Sequence, residues 1–333
     1  MTSAAGWEHF HRAEWAEARD AFAAVLETDR DDPEALDGLG RALWWLGERE
    51  AGIDRRRAAY AAYQRRGETR RAGGLAAYLA GEHRIDGQDA AAAGWLGRAR
   101  RLLAGEGDCP EAGWLAVEEA KRASEPEAAE AHARAALAIA HALADPDIEC
   151  MALAQTGLAL IRRGRVTEGT GFLDEAMTVA LSGESSDPLA CGDACCQTLV
   201  ACAGLADVQR AAQWCQSVVE FSERRRFTPV QSWCRGIYGG VLVRAGDWAR
   251  AEAVLTQALQ DGRGHDGKRV PALAALAELR LHQGRDEEAA RLLDRLDGHP
   301  DALAACVRLH LQRGELAIAG ALAEAGNGSA DVL

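Results

Sequence analysis

The chain has 333 residues and a formal charge of −13. That length accommodates two ordinary domains or one repeat array, and the negative field repels nucleic acid and acidic membrane surfaces. No stretch approaches the ~18 consecutive apolar residues that a membrane span requires.

Alanine is abundant and β-branched residues are sparse, which favours helix over strand because Ala loses no side-chain entropy in a helix. The nine Trp outnumber the five Phe and the four Tyr. Lysine occurs only at Lys121 and Lys268, and the other basic residues are Arg; this composition carries no functional weight. The N-terminus, Met-Thr-Ser-Ala-Ala-Gly-Trp, lacks a basic region and an apolar run and so reads without a signal peptide. A cytoplasmic chain with its nine Cys as thiols is the resulting expectation.

Along the chain, prolines set the period. Pro33, Pro110, Pro146, Pro188, Pro229, Pro271 and Pro300 are separated by 77, 36, 42, 41, 42 and 29 residues. Each is expected to open a helix, where its missing N–H was unpaired anyway. The first gap holds two periods, which places a proline-free helix start near Thr69. Pro126 opens a second helix inside its period. Asp32, Asp145 and Asp187 stand before prolines as N-caps, and Ser124-Glu125-Pro126-Glu127 reads as a capping box.

A second signal falls mid-period: a small residue at a turn, Ala or Gly five later, a large apolar residue nine later. Ala13/Ala18/Phe22, Gly164/Gly169/Leu173, Gly246/Ala251/Leu255 and Gly284/Ala289/Leu293 share it. The small residue lets two helices approach and the large one fills the space beside it. The pattern predicts an all-α helical-repeat solenoid of about nine helix pairs, with a period near 40. One array over 1–325 is expected, with a frayed tail over 326–333 and longer polar loops at Gly81–Asp89, Gly105–Asp108, Gly183–Asp187 and Asp261–Arg269.

The wording of several segments resembles a known family. Gly38-Leu-Gly-Arg-Ala-Leu-Trp-Trp-Leu46, Gly94-Trp-Leu-Gly-Arg-Ala-Arg-Arg-Leu-Leu103 and Glu111-Ala-Gly-Trp-Leu-Ala116 are similar to the tetratricopeptide regions of actinobacterial LuxR-type transcription regulators. Ala211-Ala-Gln-Trp-Cys215, Tyr238-Gly-Gly-Val-Leu242 and Gly298-His-Pro300 continue in the same order. The resemblance implies a sensor-like, regulatory module. That family's helix-turn-helix does not appear before Leu333, so no direct DNA binding by this chain alone is expected.

No motif rises to a catalytic signature. Gly262–Lys268 has the spacing of a phosphate-binding loop, but Arg269 stands where Ser or Thr should hold magnesium, and a helix should precede it. Cys191, Cys195 and Cys202 share one helical stripe; buried packing is the simplest reading, with a soft-metal or redox site as the alternative. Arg55, Arg56, Arg57, Arg65, Arg66, Arg70 and Arg71 read as a solvated outer face, with an anion site as the alternative. Arg224-Arg225-Arg226 closes a helix, where positive charge suits the macrodipole. His9 and His11 point to different sides of a helix. Neither a metal nor a cofactor is called for.

Sorting the tryptophans by helical angle gives the candidate site. Trp15, Trp95, Trp214 and Trp248 fall on apolar stripes and read as core. Trp45 falls opposite the Leu36/Leu39/Leu43/Leu46 stripe with Arg41, and Trp114 shares its face with Lys121. In tetratricopeptide arrays first helices line the concave surface, so Arg41, Trp45, Trp114 and Lys121 are the expected ligand contacts, for a peptide, protein segment or small effector; the competing reading is that loops or a neighbouring repeat cover both indoles. The alternative is an enzyme or biosynthetic accessory protein on the same scaffold.

Overall fold

A computed structural model describes residues 3–85, 88–225, 228–262, 266–296 and 299–327. Among them the chain forms eighteen α-helices, joined in sequence as nine pairs, and no strand. The pairs are α1 (Ala4–His11) and α2 (Trp15–Thr28), α3 (Pro33–Trp45) and α4 (Arg49–Arg66), α5 (Thr69–Ile85) and α6 (Asp89–Leu103). Next come α7 (Pro110–Arg122) and α8 (Pro126–Leu143), α9 (Pro146–Arg162) and α10 (Val166–Ser182), α11 (Pro188–Gly204) and α12 (Val208–Arg225). The last are α13 (Thr228–Ala245) and α14 (Trp248–Asp261), α15 (Asp266–His282) and α16 (Asp286–Leu292), α17 (Leu303–Gln312) and α18 (Leu316–Asn327). The expected all-α helical repeat is present. The contacts group into two compact units, Met1–Ala194 and Cys195–Leu333, whose boundary falls within α11.

Most of the expected helix starts hold. Pro33, Pro110, Pro126, Pro146 and Pro188 each open a helix, and α5 begins at Thr69 without one. Asp32 accepts the Ala35 amide at 2.7 Å, Asp145 accepts Asp147 and Ile148 at 3.0 and 3.1 Å, and Asp187 accepts Leu189 at 2.8 Å. Three expected helix starts need correction. Pro271 lies inside α15, which begins at Asp266; as the sixth residue of the helix it forgoes the N–H bond to the carbonyl four residues back. Pro300 opens a 3₁₀ turn, with α17 following at Leu303. Ser124 does not cap α8: the capping position is Glu125, without a side-chain bond, and the Ser124 carbonyl accepts from Arg162 instead. The segment read as a loop from Gly81 is helical through Ile85. Of the glycine-rich Gly262–Lys268 segment, 263–265 lie outside the described residues, as do Arg226, 297–298 and the tail from 328.

The mid-period pattern explains how the two helices of a pair approach. The turn residues Ala13, Gly164, Gly246 and Gly284 take φ of 58°, 77°, 81° and 71°, reversing the chain in the left-handed region. Phe22, Leu173, Leu255 and Leu293 behind them are buried. At the α9–α10 crossing, two backbones meet. A Cβ on Gly169 would lie 2.6 Å from the Gly157 carbonyl oxygen, and one on Gly157 would lie 2.7 Å from that of Gly169. Gly169→Ala is therefore expected to cost about 1–3 kcal/mol by overpacking, read as a drop in the urea midpoint. An unchanged midpoint would mean that these helices separate freely.

The same frame continues at Gly47/Gly52, and there the ninth position is Arg56. It is 4% exposed, so it is not part of the solvated face to which its sequence neighbours assign it. Arg65 and Arg66 do face solvent, paired with Asp31 and Asp29 at 2.9 and 3.1 Å. Arg56 turns inward because the repeat geometry points its ninth position at the preceding first helix, where Asp37 lies 2.7 Å away.

Among the tryptophans read as core, Trp15 and Trp95 pack edge-on against Phe10 and Tyr60. Trp248 is a correction: it is 41% exposed and stacks on His282 at 5.9 Å. It is the first residue of α14, ahead of the part of the stripe that packs. The thiols of the Cys191/Cys195/Cys202 stripe are buried, as the packing reading expects. No helix of the described residues is long and apolar enough to cross a membrane.

Candidate functional site

In the unit Met1–Ala194 the first helices of five pairs line a cavity of about 190 Å³. Its wall is Trp7, Phe10 and His11 from α1, Arg41 from α3, Trp114 from α7, and Asp145, Asp147, Ser186 and Asp187 at the starts of α9 and α11. Two of the four residues expected from sequence, Arg41 and Trp114, thus meet at one place.

The other two sit elsewhere. Trp45 is 2% exposed and stacks on Trp15 with ring centres 4.8 Å apart and planes 10° from parallel. Its exposure was expected because it lies opposite the Leu stripe. The preceding pair covers that side too: Phe22 of α2 packs so closely on Gly38 that a Cβ there would come within 2.3 Å of its ring. Lys121 is also withdrawn. Its Nζ lies 2.7 Å from Asp193 and 3.0 Å from Glu118, with the side chain 11% exposed. Burial opposes its charge, but the two carboxylates outweigh burial and raise its pKa. Its charge therefore holds the first half of α11 against α7 and is not offered to the cavity.

Arg41 is held in a chain of ion pairs. Its Nε donates to Asp37 at 3.3 Å and its Nη1 to Asp187 at 3.2 Å, with the guanidinium 5.7 Å from the Trp7 ring centre. Burial opposes the charge of Arg41, while Asp37 and Asp187 more than restore it. Trp7 is fixed in turn by its Nε1 donating to Glu34 at 3.1 Å. Asp147 locks the segment before α11: its carboxylate accepts the Ser186 amide at 2.9 Å, the Ser186 hydroxyl at 2.8 Å and the Asp187 amide at 3.0 Å.

The lining therefore carries three carboxylates and one guanidinium that Asp37 already shares. The excess of negative charge acts on Asp145. Burial, with the charges of Asp147 and Asp187 added, raises its carboxyl above the usual range, against the two capping amides that lower it. A positively charged group in the cavity would relieve that excess beside the indoles of Trp7 and Trp114. The volume lies below the ~300 Å³ typical of small-molecule pockets, so it suits one side chain. Among the described residues no group of three His, Cys, Asp or Glu is placed to hold a metal.

Sequence reasoning missed Trp7, although the angular sorting that picked Trp114 applies equally to α1. Asp145 and Asp187 were visible, but only as caps. Caps of first helices recur once per period, and that recurrence places them at one end of the groove.

The tetratricopeptide repeat family matches residues 242–298. No curated protein matches the chain in sequence. In structure the chain is similar to aspartyl phosphate phosphatase F from Bacillus subtilis, with a TM-score of 0.55 and 14% identity over 98% of this chain and 94% of that one. It is also similar to a Signal Transduction ATPase with Numerous Domains from Pyrococcus horikoshii that has a tetratricopeptide repeat sensor. There the TM-score is 0.51 and the identity 14%, over 94% of this chain and 46% of that one. The chain thus spans less than half the length of the Pyrococcus protein. At this identity the likeness is one of fold: a tetratricopeptide-like helical repeat.

Proposed function

We propose that this chain is a regulatory binding module whose first helices receive a peptide or protein segment, anchored by one basic side chain in the cavity. The observation that carries the reading is the cavity wall: two indoles and three carboxylates against a single, already paired Arg41. Trp7 and Trp114 supply apolar walls with negative π-faces, and Asp145, Asp147 and Asp187 supply the counter-charge. Arg41 positions Asp187. The resemblance to LuxR-type regulators, and the sensor role of the Pyrococcus protein's repeats, support a sensor-like place in transcriptional or signalling control.

The test is a fluorescence titration of the full chain with capped tripeptides centred on Arg, Lys or neutral citrulline. The cationic peptides are expected to quench indole emission saturably and citrulline is not. Trp114→Ala should weaken binding at least ~10-fold, about 1.4 kcal/mol, with the melting temperature almost unchanged because this indole is only half-buried. Because Asp145 takes up its proton at a higher pH than an ordinary aspartate, affinity should begin to fall at a correspondingly higher pH on acidification. Equal binding of the citrulline peptide, or full affinity in Trp114→Ala, would overturn the reading.

A further inference from the structure

The unit Cys195–Leu333 brings two thiols from successive first helices together. Cys196 of α11 and Cys234 of α13 have their Sγ atoms 3.9 Å apart. A disulfide needs ~2.05 Å, so closure asks for a shift of about 2 Å shared between two side chains. The two thiols differ in access. Cys196 is partly exposed, and Cys234 is wholly buried. Cys195 and Cys215 are also buried and lie near enough to Cys234 to act on its charge. A stable packing role does not require one member of such a pair to reach solvent.

We propose that Cys196 and Cys234 form a peroxide-responsive thiol pair, with Cys196 the site of attack and Cys234 the resolving group. The Cys196 thiolate attacks the terminal oxygen of a hydroperoxide. The O–O bond breaks, the alkoxide leaves and takes up a proton as the alcohol, and Cys196 becomes a sulfenic acid. Sulfur loses the two electrons that the hydroperoxide gains. The Cys234 sulfur then attacks the Cys196 sulfur; the S–S bond forms, the S–O bond breaks, and the hydroxide leaves with the Cys234 proton as water. In sum, two thiols and one hydroperoxide give one disulfide, one alcohol and one water.

The order follows from access, since the oxidant reaches Cys196 and not Cys234. It also follows from charge. The bond to Cys196 and then burial push the Cys234 thiol well above its usual pKa, so it waits as a thiol until a sulfenic acid stands beside it. The product would tie α11 to α13 and fix two consecutive pairs in register. In a reducing compartment such a bond is transient, as expected of a sensing pair.

The experiment treats the full folded chain with tert-butyl hydroperoxide, alkylates the remaining thiols, and maps cross-linked peptides without reduction. A Cys196–Cys234 cross-link that dithiothreitol reverses is expected as the main product. Cys234→Ser should leave Cys196 as a sulfenic acid that dimedone traps, and Cys196→Ser should leave Cys234 reduced. The wild-type map stands without the variants, so a folding defect in either does not spare the proposal. Progress of Cys196 to sulfinic acid without a cross-link would overturn it, as would a cross-link to another cysteine or no thiol loss before unfolding.

Discussion

Trp45→Ala is expected to lower the unfolding free energy by about 3–5 kcal/mol, the range for deleting a buried Trp. Trp45 is 2% exposed and closes α3 against the preceding pair. It stacks on Trp15 and meets Trp44 edge-on at 5.2 Å. Alanine would leave a void beside both indoles, and interiors relax only partly around such voids. Denaturant melts of the full chain read the effect, beside Trp114→Ala as the half-exposed comparison. A Trp45→Ala midpoint close to wild type would mean that the side chain stands outside the core and belongs to the groove after all.

Arg56→Ala should cost a similar 3–5 kcal/mol, for a different reason. Arg56 occupies the position that Phe22, Leu173, Leu255 and Leu293 fill in other pairs, and it carries its charge into the interior. There it pairs with Asp37 at 2.7 Å and lies with its guanidinium carbon 3.2 Å from the Tyr78 ring centre. Removing one member of a buried ion pair strands the other. Arg41 remains beside Asp37 at 3.3 Å, so part of the charge stays compensated and the loss falls toward the lower end of that range. Replacing both Asp37 and Arg56 by Leu should recover much of the stability, because the repeat pattern calls for an apolar residue at position 56. The same double change removes the second anchor of Arg41 and should weaken cation binding at the cavity.

The pair also sets an acid limit. Burial works to raise the Asp37 carboxyl, but the Arg56 and Arg41 charges outweigh it and hold the pKa below the ordinary 3.8. A carboxyl depressed in the fold stabilises it fully above the unfolded pKa, and that stability is lost as pH falls through the folded value. Denaturation midpoints of the wild type should therefore decline below about pH 4 more steeply than those of the double-Leu variant. Parallel pH profiles would place the acid-sensitive groups elsewhere.

By itself the sequence determined the helical repeat, because its signals are local. Proline at a first turn, Asp before it, and a small residue in the left-handed turn followed by Ala and Leu are read within one helix pair. The α5 start at Thr69 was legible for that reason, even without a proline. Part of the candidate site was legible too. Arg41 and Trp114 stand on first-helix faces that the angular sorting identifies, and both line the cavity. Only the tertiary structure decided the rest. Helical angle gives the side of a helix but not what lies against it. Trp45 is therefore covered by α2, Lys121 is spent on Asp193 some 72 residues away, and Arg56 is buried amid exposed arginines. Trp7 and Arg41 meet Asp187, 146 residues beyond Arg41, because the pairs between them turn successive first helices toward one another. No window of local sequence encodes that approach; it is the accumulated rotation of the stacked pairs.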